Sequence, residues 1–158
     1  MGLDGVPSFP TDLPAFALYR LLFVFLTCQQ FPTGDRPLPA LWISNCTTTQ
    51  GLSTLKWDDS LAAAARKHAA EMLKHNSVSH QFPGEPSLPT RAHQAGVRFT
   101  WISENVDQGR GAEIIHDRLM KSPLHRSNIL DRDMNTVGVG VAQGKGQLFV
   151  VEDFSKAE

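Results

Sequence analysis

The sequence predicts an α+β fold, and three observations predict it. Two segments with the helical period, 57–76 and 112–121, precede the strongest strand signals. Those strand signals stand together at the end, as "TVGVGVA" (136–142) and "LFVVEDF" (148–154), joined by the turn-forming "QGKGQ". A mostly extended segment, 97–106, crosses between the helices. Helices first and a hairpin last give segregated layers rather than an alternating β-α series, so helices must cover the sheet. At 158 residues the chain suits one domain with a sizeable core.

The chain divides near residue 50. Residues 1–50 hold six of the ten prolines and both cysteines, Cys28 and Cys46. The apolar run "AFALYRLLFVFLTC" (15–28) is shorter than the about 20 apolar residues of a membrane span, and Arg20 interrupts it. No integral membrane domain is expected. Residues 21–27 have the minimal length of an export signal's apolar region, with Arg20 as a positive flank. Asp4 and Asp12 precede it, however, and no A-x-A-like site follows. An export signal and a buried or extended N-terminal segment both stay open. Two cysteines leave bridged and free states open as well. Asn45-Cys46-Thr47 fits a glycosylation acceptor, which matters only in a eukaryotic secretory pathway. A net charge of −1, with 41% hydrophobic and 20% charged residues, argues against a nucleic-acid partner and against intrinsic disorder.

From Leu52 each element has its own reason. In 57–76, Asp58 or Asp59 can cap the helix, and Leu61, Ala65, His68 and Met72 mark a buried stripe. His68 lies on that stripe and reads as a buried, hydrogen-bonded histidine. Lys74 and His75 suit the last turn, and Asn76 suits a left-handed cap. "FPGEPSLP" (82–89) reads as a loop, "TRAHQAG" (90–96) as one or two helical turns stopped by Gly96, and "DQGRG" (107–111) as a break after the extended segment. "AEIIHDRLMK" (112–121) turns Ile115, Leu119 and Met120 inward, and His93 and His116 read as ordinary helix positions. "SPLHRSNIL" (122–130) opens a short helix with Ser122 as cap and Pro123 at its first position, yet it carries His125 and Arg126 early. In 136–142, Val137, Val139 and Val141 share one face. Gly138 and Gly140 leave the other bare for close approach by another element. Residues 148–154 are too apolar for a one-faced strand and belong at the sheet's centre.

Five pieces in this order and spacing resemble a bacterial CAP domain: "GLSTLKWDDSLAAAARKHAAEM", "SVSH", "SENV", "SPLHRSNIL" and "TVGVGVA…LFVVEDF". This is the superfamily of cysteine-rich secretory, antigen-five and pathogenesis-related proteins, also called the SCP domain. The resemblance covers residues 51–155 and leaves 1–50 as an extension. It implies a three-layer α-β-α sandwich with a mainly antiparallel central sheet, in an extracellular or envelope-associated setting. It also implies a cleft where two histidines and two acids meet. On this sequence those positions are His80, Glu104 and His125. The second acid follows a tryptophan in eukaryotic relatives; here the matching stretch is Leu119-Met120-Lys121-Ser122, so Ser122 stands in its place. The family's first helix carries Asn-x-x-Arg, whereas "WISNCTTTQ" (42–50) lacks the arginine and has three threonines, poor helix formers.

Spacing alone does not pair His80, Glu104 and His125; the resemblance does. Two uses of the set are open. Two imidazoles and a carboxylate match open zinc sites with three protein ligands, with His80 and His125 as the metal's nitrogen ligands. A histidine beside a carboxylate can also move protons. No G-x-S-x-G motif marks a nucleophile, and Ser122 and Ser127 merely lie near His125 in sequence. Asn105 and Asn128 read as ties to backbone, and Arg126 as a solvated side chain or the partner of an anion. The preferred function is a binding module for a small apolar ligand, a metal or an envelope component. It requires no cofactor, and zinc is the metal its residues suggest. The rivals are a metal-assisted, peptidase-like hydrolase and a structural domain of envelope or spore assembly.

Overall fold

Asp58 begins the longest helix. Its backbone is extended, and its carboxylate accepts the Leu61 N–H at 2.8 Å. Helix α1 then runs Asp59–His75 and stops at Asn76, which takes the left-handed conformation with φ 49°. It buries Leu61, Ala65, His68 and Met72, the expected stripe, and adds Ala62, Ala64 and Ala69. Strand β1 (Lys56–Trp57) precedes it; α2 (Leu88–Gln94), β2 (Phe99–Gly109), α3 (Ala112–Lys121), α4 (Pro123–Ile129), β3 (Thr136–Gly144) and β4 (Gln147–Ala157) follow. This computed structural model describes Ile43, Thr47, Thr48 and residues 50–158. The expectations for an export signal and for Cys28 and Cys46 lie outside the described residues; within 42–50, read as a degraded first helix, Ile43, Thr47 and Thr48 are helical.

The sheet order is β1-β3-β4-β2. Only β1 and β3 run parallel; β3–β4 and β4–β2 are antiparallel. The apolar strand β4 therefore sits centrally, as its composition predicts. Val139, Val150 and Phe154 pack with Ile115 and Leu119 of α3 and Ile129 of α4. Val106, Phe149 and Val151 pack on the opposite face, against Ala65, Ala69 and Met72 of α1. Helices thus cover both faces, giving the α-β-α sandwich. Ile43 is fully buried in the first of these clusters.

Three boundaries differ from expectation. Trp57 belongs to β1, because its strand pairs with Val137. Helix α2 starts at Leu88, inside the segment read as loop, since Pro89 is tolerated in a first turn. Strand β2 runs through the expected break to Gly109, held by register with β4 as far as Leu148. Among the described residues, no helix is long and apolar enough to cross a membrane.

Candidate functional site

The site is built from α1 outward. His68 is fully buried, with Nδ1 2.6 Å from Glu85 Oε1 and Nε2 2.7 Å from the Ser79 carbonyl. Glu85 also accepts the Phe82 N–H at 3.0 Å. Residues 79–85 are thereby clamped onto α1, which fixes the backbone that carries His80.

His80 points its Nδ1 at Glu104 Oε1, 2.9 Å away. Glu104 comes from β2, and its side chain is 3% exposed. Its other oxygen pairs with the Arg91 guanidinium of α2, itself buried. Arg91 also donates to the His80 carbonyl at 3.1 Å. One arginine therefore steadies both the carboxylate and the backbone of the histidine. The His80 ring is 61% exposed, leaving Nε2 for a visitor. The Glu104 hydrogen bond raises the His80 pKa above its ordinary value, and the Glu104 charge adds to this; burial and Arg91 oppose it.

Behind Glu104 lies Asp153, its register partner on β4. Asp153 is fully buried, and neither carboxyl oxygen has a hydrogen-bond partner. Burial first, and then the Glu104 charge, push its carboxyl well above the usual range, while Arg91 opposes the rise.

Asn105 faces the opposite layer. Its Nδ2 donates to the His125 carbonyl at 3.1 Å and to Glu152 Oε2 at 3.2 Å. Its Oδ1 accepts from Asn128 Nδ2 at 2.8 Å, and Asn128 also reaches the Glu104 carbonyl at 3.3 Å. The expected ties of Asn105 and Asn128 to backbone are present. His125 joins this cluster through its carbonyl; no hydrogen bond links its half-buried ring to His80 or Glu104 among the described residues. Ser122 holds the N-cap position of α4, but its side chain makes no capping bond. The Ser127 hydroxyl is occupied with the Leu124 carbonyl at 2.6 Å, and Arg126 is exposed.

The sequence pattern of the "Cysteine-rich secretory protein family", CAP, matches residues 17–154. The chain belongs to the CAP family. The match extends upstream of residue 51, into the apolar run. The "Uncharacterized protein YkwD" of Bacillus subtilis is 30% identical over 95 residues, 60% of this chain; the chain spans only 37% of that protein's length. Among solved structures, an extracellular protein with an SCP domain from Bacillus anthracis superposes with TM-score 0.69 at 24% identity, over 75% of this chain and 39% of its own. An outer surface protein from Borrelia burgdorferi gives TM-score 0.70 at 18% identity, over 75% of this chain and 90% of its own. At such identities these likenesses speak for the fold.

Of the three residues read as one possible zinc set, His80 and Glu104 are joined by a hydrogen bond in this CAP domain. Both Glu104 oxygens are engaged, by His80 and Arg91, and the His125 ring is not joined to them. Among the described residues, no group of three or more His, Cys, Asp or Glu side chains is placed to hold a metal ion. Three residues of the cluster escaped the sequence reading. Arg91 gave no signal beyond a basic residue in a short helix. Glu152 and Asp153 did give one: two adjacent acids inside an otherwise apolar central strand. On the far side of the clamped loop lies a cavity of about 710 Å³ between α1 and 82–86, with Phe82, Pro83 and Pro86 in its wall and Arg91 at its edge.

Proposed function

We propose that this CAP domain is an extracellular or envelope-associated binding module whose recognition group is His80. Its ligand is a small, largely apolar molecule or an envelope component that offers an acceptor oxygen to the imidazole. One observation carries this reading: an exposed ring is held by its Nδ1 on a buried carboxylate that Arg91 already neutralises. Such a ring presents its second nitrogen in a fixed direction. No serine or cysteine stands within hydrogen-bond distance of His80 among the described residues, which favours binding over acyl transfer. The setting is taken from relatives, since two similar structures are described as an extracellular and an outer surface protein.

A hydrolase reading draws on the same pair, because a histidine oriented by a carboxylate is the base of many hydrolytic sites, with water as nucleophile. One experiment separates the two. A fluorescent fatty acid and isolated cell-wall sacculi are titrated with the full chain and with His80→Ala, alongside ester and peptide turnover assays with and without zinc. Saturable binding that His80→Ala abolishes is the expected result. It should weaken as pH rises through the raised His80 value, where the ring loses its charge. Binding indifferent to His80→Ala, or no saturable binding to either probe, overturns the proposal. Turnover lost in His80→Ala establishes the hydrolase instead.

A further inference from the structure

Strand β4 carries Glu152 at a position that is 1% exposed, on the face covered by α3 and α4. A carboxyl in such a place is costly, and an apolar or amide side chain would avoid the cost. Its register neighbours are Val139 on β3 and Asn105 on β2. Asp107, also on β2, is engaged by Arg118 of α3 at 2.6 Å, so neither supplies Glu152 with a partner. What Glu152 does contact is the Asn105 amide.

That amide has two N–H groups and one carbonyl, and all are used. One hydrogen goes to Glu152 and the other to the His125 carbonyl, while the oxygen takes Asn128. An acceptor at 152 selects this orientation. Rotated by half a turn, the amide would set its oxygen against two acceptors and its N–H groups against the Asn128 donor. We propose that Glu152 is a positioning residue for α4: through Asn105 it fixes where the helix seats, and so where His125 stands.

The inference concerns His125 and α4, which the binding reading, built on His80, does not use. Its test needs no ligand, so its failure and the failure of that reading are distinguishable. The full chain, labelled at histidine for NMR, is compared with Glu152→Gln and Glu152→Met by amide hydrogen exchange. Glu152→Met removes the acceptor and should speed exchange in α4 about tenfold, the equivalent of one buried hydrogen bond. It should also shift the His125 ring signals, while the β3–β4 hairpin keeps its protection and the His80 signals stay in place. Glu152→Gln restores an acceptor and should return α4 to within about twofold of the parent. An unchanged α4 in Glu152→Met, or a loss of protection spread evenly over the domain, overturns the proposal. Should Glu152→Met fail to fold, Asn128→Ala cuts the other end of the same link. It must then give the local change in α4 and His125, and an unchanged α4 there overturns it equally.

Discussion

His80 and Glu104 stand 24 residues apart and meet at 2.9 Å, a pairing that no helical or strand period could announce. Only the family's ordered motifs joined them in the sequence, and those motifs were silent about Arg91. The arginine decides the pair's energetics, because it turns a buried lone carboxylate into a buried ion pair. Removing one member of such a pair leaves the other charge uncompensated. Glu104→Gln keeps the volume and loses the charge. It should therefore cost on the order of 3 kcal/mol in chemical denaturation, with Arg91 left only the longer ion pair to Glu85 at 4.0 Å. The same substitution should bring the His80 midpoint down toward that of free histidine, since both causes that raise it come from Glu104. An NMR titration checks this, and an unmoved midpoint would place the cause elsewhere.

At the scale of elements, β3 was the most legible. Its Val and Gly alternate, and the structure uses both faces as the pattern requires. The valines enter the core under α3 and α4, and the glycines let α1 lie against the strand. A Cβ on Gly140 would fall inside the backbone of Ala65 and Arg66, and one on Gly138 inside that of Leu61 and Ala62. Backbone in mid-helix cannot step aside, so α1 as a whole would have to lift. Gly140→Ala should thus cost about 3 kcal/mol or more by thermal or chemical unfolding. It should also loosen the loop held by His68, and with it His80. Gly144→Ala meets only the tip of the Leu73 side chain, at 2.7 Å, and should lose clearly less. Equal losses would show that close approach of α1 is not what the glycines serve. The elements that sequence left unmarked are those created by pairing. Two-residue β1 exists because Trp57 lies against Val137, and the end of β2 because it lies against β4. Neither partner lies nearby in sequence, so no local pattern records them.

At the scale of the whole molecule, the central strand makes stability depend on pH in an unusual direction. Burial raises Glu152 to about 7, against the opposing Asn105 hydrogen bond, and also raises Asp153 well above its ordinary range. A carboxyl raised on folding holds a proton that the unfolded chain releases. Its contribution is complete below the unfolded value and is lost as pH rises through the folded one. His80, also raised, acts in the same sense through its own window. His116, lowered by burial, acts oppositely, losing stability as pH falls below its unfolded value. Glu71 is lowered at the open surface, where solvent screening leaves little effect. The parent curve mixes these signs, so the informative quantity is the difference between the parent and Glu152→Gln, which removes one titration and keeps the acceptor. Measured by urea unfolding from pH 4.5 to 8, that difference should move in favour of the variant as pH rises. The move should level off above about 7 and total on the order of 3 kcal/mol, the free energy of a shift from 4.5 to about 7. Asp153→Asn should move the difference in the same direction, because burial and the Glu104 charge also raise its carboxyl. A difference between parent and Glu152→Gln that stays flat across this range would mean that Glu152 is ionised in the folded core from the start, with Asn105 alone sufficient to hold its charge.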